Sequence, residues 1–125
     1  MHPFPITIRT PSSSATLHTS AVLRVDTSGL RPWARRPHHS VSKAGLIMLT
    51  EVTAAVLAQY QIRANALVLP STGQSEENWR KSEARLPLKR SGDPDDVARA
   101  AVFLATNDTI TGAVLRVDSG EWLGA

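Results

Sequence analysis

No cysteine occurs among the 125 residues, which excludes disulfides, thiolate nucleophiles and cysteine-based zinc sites. Glycine is scattered rather than clustered. The seven, at 29, 45, 73, 92, 112, 120 and 124, never form G-x-G-x-x-G or G-x-x-x-x-G-K, so no local run builds a phosphate cradle. Aromatics make up only 5%, too few to form an aromatic-interleaved basic motif, so nucleic acid is not an expected partner. No acid precedes Asp26, but Pro3, Pro5 and Pro11 interrupt any amphipathic presequence helix. No apolar h-region follows the first residues and no segment reads as a membrane span, which leads to the expectation of a cytoplasmic protein without a membrane partner. His38 and His39 are adjacent, so their rings diverge, and no metal site is expected.

What remains is the composition of one ordinary domain, with 42% apolar and 20% charged residues. Charge is unevenly placed: residues 1–43 carry a net +5 and residues 44–125 a net −2. Residues 1–20 hold three X-Pro pairs and the Ser12-Ser13-Ser14 run, and read as irregular or disordered. The domain proper is expected over 21–125.

Ala21 to Val25 reads as a buried strand that ends at Asp26-Thr-Ser-Gly29. Asp26 therefore stands at a strand's C-terminal end, where open α/β sheets place their ligands. A basic, proline-punctuated loop follows, Leu30 to His38, carrying Trp33. From Ser40 or Ser42 to about Tyr60 the pattern is helical, with Glu51 the only charge after Lys43. Apolar residues cover nearly its whole circumference, so residues 42–60 should bury a second face against another copy. Ile62 to Leu69 reads as a parallel strand covered on both sides, ended by Pro70 and Ser71. A polar helix spans about 75–86, and Asp93-Pro94-Asp95-Asp96 starts another, with Asp93 as N-cap and Pro94 at N1. A last strand is expected over Ala113 to Val117. This order implies crossover units on a parallel sheet.

His39 and Lys43 stand four positions apart, which places an imidazole and an ammonium on one face of the helix start. Around them, His39-Ser-Val-Ser-Lys43-Ala-Gly, Ile62-Arg-Ala-Asn65-Ala-Leu-Val-Leu-Pro70, Pro87 to Ala98 and Ile110-Thr-Gly-Ala-Val-Leu-Arg-Val-Asp118-Ser-Gly120 follow in order. Together these four blocks resemble the C-terminal half of a short-chain dehydrogenase/reductase. The resemblance implies a truncated Rossmann-like (doubly wound) α/β fold of about three parallel strands with crossover helices. It also implies hydride transfer with NADP or NAD on a carbonyl or pterin substrate.

In that family a Tyr four residues before the Lys exchanges a proton with the substrate oxygen, and the Lys holds the nicotinamide ribose. Lys43 matches the Lys, and His39 stands at the Tyr position. Asp26, thirteen residues earlier, occupies the slot of the family's substrate-orienting Ser, and an Asp there is similar to the pteridine-reductase branch. Pro70 and Ser71 match the Pro-Gly turn that lies against the nicotinamide, with Ser for Gly, while Asn65 and Asp118 match positions that look structural. The implied catalytic set is Asp26, His39 and Lys43, and the implied cofactor-binding set is Lys43, Pro70 and Ser71. The family's glycine-rich half has no counterpart in this sequence, so the expected activity is an impaired reductase; the alternative is a non-catalytic remnant that oligomerises.

Overall fold

The computed structural model describes residues 6–10, 18–70, 76–90 and 92–123. In chain order the elements are β1 (Ile6–Thr10), β2 (His18–Asp26), α1 (Pro37–Leu57), β3 (Ile62–Leu69), α2 (Glu76–Arg85), α3 (Pro94–Thr106) and β4 (Val114–Arg116). Short 3-10 turns occupy Thr27–Gly29, Ala58–Tyr60 and Glu121–Leu123. The four strands form one sheet in the order β1-β2-β3-β4. Strands β2, β3 and β4 run parallel, with Val22 opposite Asn65, Asp26 opposite Leu69 and Ala66 opposite Val114. This is the truncated, doubly wound α/β arrangement the resemblance implies.

Strand β3 lies in the middle, and its near-continuous apolar sequence reflects helices on both faces: seven of its eight residues are buried. On one face Val22 and Leu67 pack with Ala101 and Leu104 of α3. On the other, Val25, Ala66 and Val68 pack with Ile47 of α1. Two buried polar side chains of β3 serve the backbone. Asn65 donates from Nδ2 to the Ile110 carbonyl at 3.0 Å and accepts from the Ala113 N–H at 3.0 Å, which fixes the approach to β4. Arg63 donates to the carbonyls of Leu104 at 2.6 Å and Ala105 at 2.5 Å, oxygens that the end of α3 leaves open, and to that of Ile110 in the following loop at 3.1 Å.

The N-terminal reading needs correction. Residues Ile6–Thr10 form a strand and β2 begins at His18, whereas residues 1–20 read as irregular. The five residues Ile-Thr-Ile-Arg-Thr contain no proline and four of them are β-branched, which suits an edge strand. Antiparallel pairing of β1 with β2 also covers the strand edge that a reduced parallel sheet would otherwise expose. Residues 1–5 and 11–17 lie outside the described part.

Helix α1 starts three residues before Ser40, with Pro37 in its first turn. It buries only Ile47, Thr50 and Ala54. Its outward face exposes Val41, Met48, Leu49, Val52 and Val56. Residues Pro37–Tyr60 are long and apolar enough to cross a membrane by length and composition, contrary to the reading that no segment is. At α3 the expected start is present as a capping box: Asp93 accepts from the Asp96 N–H at 2.9 Å, and Asp96 accepts from the Asp93 N–H at 3.0 Å.

Candidate active site

The C-terminal ends of β2 and β3 carry the residues that matter. Asp26 is the last residue of β2, and its carboxylate caps the 3-10 turn that follows, with Oδ1 accepting from the Ser28 N–H at 3.0 Å and from the Ser28 hydroxyl. Its other oxygen, Oδ2, lies 2.8 Å from Nε2 of His39, in the first turn of α1. Side-chain exposures of 31% for His39 and 24% for Asp26 leave the pair reachable but sheltered.

Burial raises the Asp26 pKa, but the bonds from the Ser28 hydroxyl, from His39 and from the Ser28 N–H, with the attraction of the imidazole, outweigh it. Together they hold the carboxyl below its ordinary value. Asp26 is therefore ionised at neutral pH and can only accept, so Nε2 of His39 is the nitrogen that donates. Nδ1 is left as the nitrogen that can face a substrate.

Trp33 limits where the ring can go. Its side chain meets the His39 imidazole edge-on, with centroids 5.8 Å apart and planes at 90°. The Trp33 N–H donates to the Ser40 hydroxyl at 2.9 Å, which ties the basic loop to the helix start. Arg36 lies over the same indole, its guanidinium carbon 5.3 Å from the ring centroid.

Gly29 brings the turn against α1. A Cβ at this position would stand 2.9 Å from the carbonyl carbon of Lys43 and 3.0 Å from the Lys43 Cβ. Lys43 is half-buried there, one helical turn beyond His39. Pro70 follows Leu69, which is paired with Asp26, so it shares that end of the sheet. Ser71 lies outside the described residues. The structure thus joins Asp26 to His39 directly and puts the backbone of Lys43 beside the same turn.

Ser28, Thr27 and Glu121 lie outside the catalytic and cofactor-binding sets that the resemblance implies. Ser28 has a local signal, since Asp-x-Ser is a side-chain-capped turn pattern. Thr27 donates its hydroxyl to Glu121, 94 positions away, and no local pattern predicts that bond.

A depression of about 230 Å³ adjoins the site, with Ser28, Gly29, Arg31 and Ser40 in its lining. It falls short of the roughly 300–1,000 Å³ typical of a complete small-molecule pocket.

Comparison with known proteins agrees with the fold. Residues 13–121 match a family model described as enoyl-(acyl carrier protein) reductase. Over 104 residues the chain is 40% identical to the L-rhamnose-1-dehydrogenase of Scheffersomyces stipitis, covering 74% of this chain and 40% of that protein. It is 39% identical over 104 residues to the L-rhamnose 1-dehydrogenase (NAD(P)(+)) of Azotobacter vinelandii, again covering 74% of this chain and 40% of the relative. The 3-oxoacyl-[acyl-carrier-protein] reductase FabG of Thermotoga maritima is 36% identical over 91 residues, covering 66% of this chain and 37% of FabG. The chain spans about two-fifths of the length of these curated relatives. The match over residues 13–121 and the parallel sheet with its crossover helices lead to the conclusion that this chain belongs to the short-chain dehydrogenase/reductase family.

Proposed function

We propose that the chain forms the substrate side of an NAD(P)-dependent oxidoreductase that interconverts a carbonyl and an alcohol, with His39 as the proton-exchanging group and Asp26 as its partner. The observation that carries this reading is the 2.8 Å contact between Asp26 Oδ2 and His39 Nε2 at the C-terminal end of the parallel sheet. In the reducing direction a carbonyl oxygen that gains negative charge takes a proton from the ring: the Nδ1–H bond breaks as the new O–H bond forms. Asp26 stabilises the imidazolium from which that proton leaves. An Asp in this slot, next to Gly29-Leu-Arg-Pro-Trp33, favours a pterin or similar planar carbonyl substrate, as in the pteridine-reductase branch.

A nicotinamide would supply the hydride when bound. The residues present fit one end of such a cofactor: Lys43 and Pro70 lie at the sheet end that would hold the nicotinamide ribose, with Ser71 next in sequence. They do not fit the other end, because no glycine-rich cradle for the pyrophosphate occurs in this sequence. On its own the chain should therefore be an impaired reductase. NADP or NAD would serve equally on these residues, and a cytoplasmic setting fits the reading.

Titration of NADH and NADPH against the purified chain, followed by fluorescence, tests it. Weak but saturable binding at millimolar concentration is expected. Its absence would end the claim that the chain acts alone and favour a non-catalytic remnant. One observation already speaks for that second reading: the exposed apolar face of α1, which suits a second copy of the chain.

A further inference from the structure

We infer that Glu121, in the 3-10 turn after β4, is a positioning residue for the Asp26–His39 pair and acts through Thr27. The inference rests on the reading of Asp26 and His39 as the reacting pair. Thr27 follows Asp26 directly, is only 4% exposed, and donates its hydroxyl to the Glu121 carboxylate. Arg31 donates from Nη1 to the Glu121 carbonyl at 3.0 Å. The N–H groups of Leu30 and Arg31 both donate to the Thr27 carbonyl at 3.0 Å, so Glu121 grips a closed turn at its beginning and at its end. Within that turn Ser28 supplies two donors to Asp26, and Gly29 packs on Lys43. A continuous line of bonds runs from Glu121 through Thr27 and the turn to Asp26 and then His39.

The segment that bears Glu121 is itself held firmly. Buried Asp118 accepts from the N–H groups of Gly120 at 3.1 Å and Trp122 at 3.0 Å. The Glu121 N–H donates to the Asp118 carbonyl at 2.9 Å. Gly120, at φ +83°, leaves room for the Pro87 ring, which a Cβ would meet at 3.1 Å. Arg116 of β4 lies over the Trp122 indole at 5.6 Å. A rigid anchor on β4 thus reaches across to the turn after β2. Reacting groups need such support, because a displacement of about 1 Å can cost about 100-fold in rate.

The test is a set of long-range ¹H–¹⁵N spectra of the His39 ring in the full chain at pH 7. Asp26→Asn provides the reference, the displacement of the Nε2 resonance when its carboxylate partner is lost. Glu121→Ala should shift Nε2 in the same direction. Glu121→Gln, which keeps an oxygen to accept from Thr27, should leave it at the wild-type position. Thr27→Val removes the hydroxyl from the other end of the contact, should match Glu121→Ala, and decides the matter if Glu121→Ala fails to fold. A wild-type resonance in Glu121→Ala and Thr27→Val, with Asp26→Asn displaced, would overturn the positioning role while leaving the pair intact. Equal displacement in Glu121→Ala and Glu121→Gln would also overturn it. An unmoved resonance in Asp26→Asn would instead overturn the reading of the pair itself.

Discussion

A single carboxylate organises the site. Asp26 ends a strand, caps the next turn through Ser28 and orients His39, so its loss should be felt in stability as well as in chemistry. Asp26→Asn should lower the unfolding free energy at pH 7 by about 1 kcal/mol, a modest figure because the pair is partly solvated. The pH dependence has a definite sign. Because the folded-state pKa lies below the ordinary 3.8, the unfolded chain takes up the proton first as pH falls. The contribution of Asp26 is therefore fully present above that value and disappears as pH drops through the folded-state pKa. Urea denaturation at a series of pH values should show wild type losing more stability than Asp26→Asn below about pH 4; parallel acid limbs for the two proteins would contradict this. The candidacy of Asp26, His39 and Lys43 was legible in the sequence through spacing and resemblance. The contact between the first two was not, because the i to i+13 separation crosses an irregular loop whose path depends on Trp33 and Ser40.

Elements that rest on local chemistry were read well from the sequence. The apolar run of β3 and the capping residues of α3 each carry their own signal, and both elements lie where those signals put them. Strand β1 was missed because the prolines flanking it dominate the composition, and pairing to β2 is a long-range effect that propensity does not register. Contacts between elements give sharper predictions. Gly29→Ala places a methyl against the Lys43 backbone, which cannot rotate away, so it should cost about 1–3 kcal/mol by forcing the turn off α1. A thermal melt within error of wild type would show that the turn yields without strain. Arg63→Met keeps much of the aliphatic packing but strips the charged donors from the Leu104, Ala105 and Ile110 carbonyls. The expected loss is about 3 kcal/mol by urea denaturation, since buried acceptors without donors are costly.

At the scale of the whole molecule, the balance between covered and uncovered apolar surface dominates. The sequence predicted that α1 needs cover on two sides, and the structure supplies it on one. Five large side chains at or above about half exposure could each contribute on the order of 1 kcal/mol if buried. That sum is comparable with the total stability of a small domain. Self-association through α1 is the expected outcome, with dimers or larger species in sedimentation velocity and a shift toward monomer in Leu49→Lys with Val52→Lys. A folded wild-type monomer at high concentration would contradict it. No glycine-rich pyrophosphate cradle occurs in this sequence, so the proposal places cofactor contact at the nicotinamide end, beside Asp26 and His39. The most direct test of the account is therefore where a nicotinamide cofactor lands, read from amide chemical shifts as NADPH is added to the isotope-labelled chain. Saturable changes centred on Asp26, His39, Lys43 and Pro70 are predicted; changes centred on α3, or none up to millimolar cofactor, would contradict it.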